Sequence, residues 1–256
     1  MIGPLIGMVH LGPLPGSPGC EHDAGHLAAA AAADAVALAA AGFDAILVEN
    51  FGDAPYFADR VPPVTVAAMA VAVAAVGRAV SIPVGVNVLR NDAEAALSIA
   101  AATGAAFIRV NVLSGTMTTD QGPIVGRAAQ VARLRAGLGV QVAVLADVMV
   151  KHAVAPPGLT LAAATRDTWE RAGADGLVVS GPSTGSPAAA ADLGEVRAAA
   201  PDAPLYVGSG AAASNAAALL EVADGIIVGT SIKRGGATTA PVDPARAAEF
   251  VAAARR

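Results

Sequence analysis

The sequence is poor in most of the features that announce a function. It has one cysteine, Cys20, in 256 residues, which excludes a disulfide framework and a cysteine-based zinc finger. Aromatic residues make up 3 % and charged residues 14 %, with 21 acidic against 16 basic side chains. A net charge of −5 offers no basic face of the kind nucleic acid requires, so no nucleic-acid partner is expected. Long hydrophobic runs are missing too. The longest charge-free apolar stretch, 64–77, is too short to span a bilayer and follows Pro62-Pro63. The opening Met1-Ile2-Gly3-Pro4 has neither the basic nor the apolar region of a signal peptide. These absences predict a cytoplasmic chain with no transmembrane segment, peripheral membrane association being left open.

What the chain has in abundance is alanine, roughly a quarter of all residues against an average far lower. It accounts for much of the mean hydropathy of +0.58; hydrophobic types at 55 % and charged types at only 14 % rule out a disordered chain, which needs low hydrophobicity and high net charge. Short β-branched runs alternate with alanine-rich stretches. The strand candidates are 5–10, 45–49, 84–88, 107–111, 141–147, 176–179, 205–208 and 225–228. Each is a nearly continuous apolar run, as expected of parallel strands covered on both faces. Helix candidates fill the gaps at 24–41, 64–80, 92–103, 122–138, 159–172, 187–199 and 214–222, and 243–255 follows the last strand. Gly42, Gly104, Gly139 and Gly173 stand where a left-handed residue ends a helix. Eight strand–helix units in a chain of this length predict a single-domain (β/α)8 barrel spanning 1–256. A doubly wound open sheet is the alternative, but the first turn, 11–18, is proline-rich and lacks GxGxxG.

Barrel chemistry takes place at the C-terminal ends of the strands. There the sequence places His10, Glu49-Asn50, Asn87 with Arg90-Asn91, Asn111, and Asp147 with Lys151-His152. The opposite strand ends read as almost wholly apolar. Alternation puts Arg109 one layer below Asn111, inside the barrel, where a guanidinium needs Glu49 or Asp147 as partner. Arg109 is then either a structural ion pair or a substrate-orienting group. Glu49 and Asp147 are the acid–base candidates, since opposed carboxylates in a cleft can be tuned apart. Lys151 is a candidate electrophile or Schiff-base former, four residues past its strand. His152 reads as a ligand or as an ordinary loop residue. No cofactor is called for, although His10, Glu49 and Asp147 together would suit a divalent metal. Cys20, His22 and His26 lie close in sequence but match no metal-site spacing, and read as a solvated loop-to-helix junction.

The remaining strand ends are small and hydroxylic: Ser180-Gly181-Pro182-Ser183-Thr184-Gly185, Gly208-Ser209-Gly210 and Gly229-Thr230-Ser231. Backbone amides in such loops approach an anion closely, and the loops after strands seven and eight are the usual phosphate site of these barrels. Gly181, Gly185, Gly208, Gly210, Gly229 and Thr230 are therefore the expected phosphate grip, similar to that of the tryptophan synthase α subunit. Lys233 either adds charge to this grip or, the preferred reading, is a solvated surface lysine.

GMVHLGPLPGSP (7–18), VENFGDAPY (48–56), VNVLRNDA (86–93), FIRVNVLSGTMTTDQG (107–122) and LADVMVKHA (145–153) together resemble the BtpA/SgcQ family. SGPSTG (180–185), VGSG (207–210) and DGIIVGTSIKRGG (224–236) carry the resemblance to the C-terminal strands. Ser180 departs from it mildly, standing where threonine is more usual. The resemblance implies a ribulose-phosphate-binding-type barrel. One branch of the family is linked to photosystem I assembly and peripheral thylakoid attachment, and another sits among sugar-metabolism genes.

Three expectations follow. The first is an isomerase, epimerase or lyase acting on a small phosphorylated, sugar-derived metabolite, with Glu49 and Asp147 moving protons and Asn87, Asn111 and Arg109 orienting the substrate. The second is a non-catalytic assembly factor for a membrane complex such as photosystem I, and the third a ligand-binding regulatory barrel. Outer-helix alanine leaves room for a homo-oligomer, but fits equally well against the barrel.

Overall fold

A computed structural model describes residues 2–181 and 190–256. Its strands are β1 (Leu5–His10), β2 (Ala45–Glu49), β3 (Val84–Asn87), β4 (Phe107–Val110), β5 (Thr116–Thr119), β6 (Gly122–Val125), β7 (Ala143–Asp147), β8 (Ala153–Val154), β9 (Gly176–Val179), β10 (Leu205–Val207) and β11 (Gly225–Val228). Eight of them close into a barrel in the order β1-β11-β10-β9-β7-β4-β3-β2, and every barrel pairing is parallel. The expected (β/α)8 architecture is therefore the observed one, and the open sheet is excluded.

Side-chain alternation separates two apolar compartments. Ile6, Met8, Leu47, Phe107, Leu145, Val178, Tyr206 and Ile227 fill the barrel interior. The intervening residues, such as Val9, Ile46, Val48, Ile108 and Val144, face the helices. Glycine makes the interior layer fit at β3, where a Cβ on Gly85 would lie 2.3 Å from the Phe107 ring.

The outer layer comprises α1 (Ala24–Ala41), α2 (Pro63–Ala79), α3 (Ala93–Thr103), α4 (Ala128–Leu138), α5 (Leu161–Arg166), α6 (Ala190–Ala199), α7 (Ala216–Leu220) and α8 (Pro244–Ala254). Asp23, Asp92, Thr160 and Asp243 cap α1, α3, α5 and α8 by accepting from backbone amides of the first turn. Gly42, Gly104, Gly139 and Gly173 adopt φ of 94°, 75°, 64° and 69°, the left-handed conformation their positions require. By length and composition α1 could cross a membrane. Here it lies as an outer barrel helix, burying Leu27, Ala31, Ala35 and Leu38.

Two expectations need correction. The stretch 122–138 is not one helix. Gly122–Val125 pairs antiparallel with Thr116–Thr119, β8 joins the other edge of β5, and α4 starts only at Ala128. Pro123 and the β-branched Ile124 and Val125 disfavour a helix, and Gly122 at φ 95° turns the hairpin. This three-stranded sheet sits on the C-terminal side of the barrel, where Met117 and Ile124 pack with Val112 and Val150.

The N-terminal strand ends are also less apolar than they read. Asp44, Asp175 and Asp224 each stand just before a strand and accept the backbone amides of Leu5, Val144 and Leu205 at 3.0, 2.8 and 2.8 Å. Each also pairs with an arginine: Arg255, Arg135 and Arg197 respectively. These groups latch neighbouring strands at the face associated with stability rather than chemistry.

Candidate active site

The parity that sends Phe107 inward on β4 sends Arg109 inward one layer higher. Its Nη2 donates to Asp147 Oδ1 at 2.8 Å, and the pair is almost wholly buried, with side-chain exposures of 3 % and 0 %. Arg109 Nη2 also reaches Ser180 Oγ at 3.3 Å. Burial opposes the guanidinium charge, but Asp147 and then Glu49 outweigh it and hold the Arg109 pKa above its ordinary value. Asn111 donates to the other oxygen, Asp147 Oδ2, at 2.6 Å. Both Asp147 oxygens are thus engaged.

Glu49 occupies the matching position on β2. Asn87 donates to its Oε2 at 2.6 Å, and His10 Nε2 lies 3.7 Å from its Oε1. Asn87 fixes one carboxylate oxygen and leaves the other facing histidine. Burial, then the charges of Lys233 and Lys151, push His10 down to about 3 against the opposing pull of the Thr238 backbone and Asp34. His10 is therefore a neutral imidazole across the physiological range. The Phe51 ring packs 4.9 Å from it.

Glu49, Arg109, His10 and Lys151 line a cavity of about 270 Å³ at the barrel mouth, together with Phe51 and the two loops 208–212 and 229–231. Gly208, Gly210, Gly229 and Thr230 of the expected grip are on its wall. Two of these glycines also make room for side chains. A Cβ on Gly229 would lie 2.6 Å from His10 Cε1, and one on Gly208 would lie 2.9 Å from Arg109 Nη2. The Gly208 amide is bonded to the Val179 carbonyl and that of Gly181 to Ser209 Oγ, so neither is available to a ligand. Thr230 opens a short 3-10 turn, 230–232, whose N-terminus has no side-chain cap. Gly185 lies outside the described residues.

The polar rim thus sorts into several groups. Glu49, His10, Arg109 and Lys151 meet at the cavity, whereas Asn87 holds Glu49, Asp147 holds Arg109 and Asn111 holds Asp147. Asn50 and Asn91 support loops by bonding the backbone amides of Leu89 and Val112. Arg90 Nη2 donates to the Lys151 carbonyl at 2.6 Å. His152 has a left-handed φ of 56° and a pKa lowered by burial, then by Lys151 and Arg90.

His10, Glu49 and Asp147 do not converge as a metal triad, because Asp147 is committed to Arg109 and Asn111. Among the described residues no cluster of three histidine, cysteine or acidic side chains is placed to hold a metal. Cys20, His22 and His26 form the expected junction: Sγ donates to the His22 carbonyl at 3.1 Å and the two imidazoles stack. Lys233 corrects its expectation. It is completely buried and pairs with Asp34 of α1 at 2.9 Å.

Phe51 and Gly236 on the cavity wall were not anticipated. For Phe51 a signal was present, since it shares the parity of Glu49 two residues earlier. Gly236 sits in the irregular segment after β11, where no periodicity applies.

The parallel barrel with its polar side chains and glycine loops gathered at the C-terminal mouth defines a TIM-barrel protein of the kind that carries small-molecule sites. The BtpA family profile matches residues 1–256, and the chain belongs to the BtpA family. The photosystem I biogenesis protein BtpA of Synechocystis is 48 % identical over 98 % of this chain and 87 % of its own. The sgc region protein SgcQ of Escherichia coli is 31 % identical over 96 % and 92 %. Among solved structures, a chain of tryptophan synthase from M. tuberculosis superimposes with a TM-score of 0.61 at 22 % identity, covering 99 % of this chain and 94 % of that one. N-(5'-phosphoribosyl)anthranilate isomerase from Pyrococcus furiosus gives 0.57 at 16 % identity, with 98 % of each chain covered. These likenesses establish the fold.

Proposed function

We propose that this BtpA-family barrel is a cytoplasmic enzyme acting on a small phosphorylated, sugar-derived metabolite by isomerase, epimerase or lyase chemistry. One observation carries the reading: a cavity of about 270 Å³ has Glu49, Arg109 and Lys151 facing the glycine loops 208–212 and 229–231. A phosphate dianion sits against the loop backbone, and the Arg109 guanidinium on the same cavity wall offsets its charge. Glu49 moves the proton, since its Oε1 is free of Asn87 and within reach of the cavity. Arg109 orients the substrate, and Asp147 holds Arg109. The structural likeness to a phosphoribosylanthranilate isomerase agrees with a phosphorylated substrate.

A thermal-shift screen with phosphorylated metabolites, with and without divalent cations, tests this. A true ligand at one hundred times its Kd stabilises the native state by about 2.7 kcal/mol and raises Tm by several degrees. If no phosphorylated compound moves Tm while neutral sugars do, the phosphate assignment fails.

A second reading is a non-catalytic assembly factor for a membrane complex. It is supported by the name of the Synechocystis relative and by exposed Val36, Val64 and Val71 on the adjacent helices α1 and α2. On that reading the proton-accepting carboxylate of Glu49 is dispensable, and Glu49→Gln retains full function in cells.

A further inference from the structure

Of the 16 basic residues only two are lysines, Lys151 and Lys233, and both belong to the C-terminal half of the barrel mouth. Everywhere else, including every latch at the opposite face, the cation is arginine. Arginine supplies charge and bidentate hydrogen bonds but cannot lose its proton in a protein, whereas a lysine amine can. Two lysines in an arginine chain therefore ask for separate explanations.

Lys233 has a structural one: it is fully buried and closed by Asp34 at 2.9 Å, with Asp34 Oδ1 also accepting the Val242 amide at 2.8 Å. Lys151 has none. Among the described residues no carboxylate lies within ion-pair distance of its Nζ, yet it lines the cavity with Glu49 and Arg109. Its backbone is held from several sides. Val148 donates to the Val178 carbonyl at 2.9 Å, Val150 is buried in the rim cluster with Val112, Met117 and Ile124, and Arg90 grips the Lys151 carbonyl. Immediately beyond, Ala153 pairs with Thr119. Met149 and His152, flanking this position, both take left-handed φ, 51° and 56°, which costs energy for residues with a Cβ and persists only where surroundings impose it. The loop is built to present one side chain.

We propose that Lys151 is a catalytic nucleophile that forms an imine with a phosphorylated aldehyde or ketone. The assignment rests on the reading of the cavity as a phosphometabolite site and names its substrate class. Nζ, as the free amine, adds to the carbonyl carbon. Its two protons pass to the carbonyl oxygen, which departs as water, and the new C=N bond takes a proton from solvent to become an iminium. The iminium draws electrons from the adjacent C–H bond, whose proton passes to Glu49, or from the adjacent C–C bond, whose outer carbon leaves as a carbonyl compound once Glu49 takes its hydroxyl proton. Either cleavage leaves an enamine, and reprotonation of its carbon followed by addition of water to the C=N bond returns the amine without any oxidant. Burial and then the Arg109 charge lower the Lys151 pKa, with Glu49 and Asp147 pulling back and Arg90 lowering it further. That direction favours the free amine.

Pyridoxal 5'-phosphate, an aldehyde with a phosphate, tests this on the full chain. The protein is incubated with it, reduced with borohydride and peptide-mapped by mass. The adduct is expected on Lys151, at least tenfold over Lys233 and the terminal amine. Inorganic phosphate should compete with the adduct, and pyridoxal without the phosphate should label at least tenfold more slowly. Lys151→Arg, which keeps the charge, and Lys151→Met, which keeps the length, should both melt cooperatively and lose the adduct. An adduct spread equally over Lys233 or the terminal amine overturns the proposal. So does a protein that inorganic phosphate stabilises but pyridoxal 5'-phosphate does not label, which leaves the phosphate site standing. If neither stabilisation nor labelling occurs, both the imine and the phosphate site are wrong.

Discussion

Arg109 and Asp147 form a closed pair at the mouth of the barrel, Nη2 to Oδ1 at 2.8 Å, with neither side chain more than 3 % exposed. The pair stands directly beneath the cavity, so its integrity links the stability of the barrel to the geometry of the site. Removing one partner strands a buried charge, which costs far more than the pair contributes. Asp147→Ala is expected to lower the unfolding free energy by about 3–5 kcal/mol. The paired replacement Arg109→Met/Asp147→Leu should cost less than Asp147→Ala alone. Urea titration of the variants measures both, and a double variant less stable than each single one would show that the charges are not coupled as the geometry requires.

Glu49 is the cavity's carboxylate, and Asn87 secures one of its oxygens at 2.6 Å. Glu49→Gln keeps shape and hydrogen bonding but cannot accept a proton. On a substrate found by the thermal screen, kcat should fall by about 10²–10⁴, the usual contribution of a positioned acid–base group, while the ligand-induced Tm shift persists. Asn87→Ala should show a smaller loss of kcat, because it frees Glu49 without removing it. Turnover in Glu49→Gln at the wild-type rate would move proton transfer to another group.

Two glycines, one at the mouth and one in the barrel interior, are spaces for side chains. Gly229→Ala places a Cβ 2.6 Å from His10 Cε1, and Gly85→Ala places one 2.3 Å from the Phe107 ring, deep in the barrel. Both overpack and are expected to cost about 1–3 kcal/mol. Only Gly229→Ala should also abolish the thermal shift given by a phosphorylated ligand, since it alone displaces a cavity residue. Equal loss of ligand response in both variants would mean that stability, not the site, controls binding.

The barrel was legible because each of its strands is a local signal, an apolar run with a turn at either end, and local signals repeat. β1, β2, β9 and β11 begin and end where the residue pattern placed them. Parity alone was enough to send Arg109 inward to a carboxylate. The site was legible as far as strand ends could tell. What stayed hidden depends on partners distant in sequence. Lys233 reads as an ordinary surface lysine until α1 brings Asp34 to it across 199 positions. The β5–β6 hairpin was masked by its continuity with α4. The latches of Asp44, Asp175 and Asp224 were visible as a recurrent Asp before a strand, but their arginines come from separate helices or chain ends. The roles of Asn50 and Asn91 could not be separated from those of Asn87 and Asn111, because the residue type is the same and only the orientation differs.

His10 titrates in a way that isolates its own contribution. Folded, it is held at about 3, whereas an unperturbed histidine stands at 6.5. Between those values the unfolded chain binds the proton and the native state does not, so acidification favours unfolding. The contribution is fully present above about 6.5 and is lost as pH falls towards 3, with a limiting slope of about 1.4 kcal/mol per pH unit for one proton. His10→Gln removes this proton from the balance and leaves the carboxylates common to both proteins. The stability difference between wild type and His10→Gln, measured by urea titration from pH 7 to pH 4.5, should therefore shrink as pH falls. A constant difference across that range would place His10 in solvent contact, where neither the neutral imidazole nor its neighbourhood with Glu49 would hold.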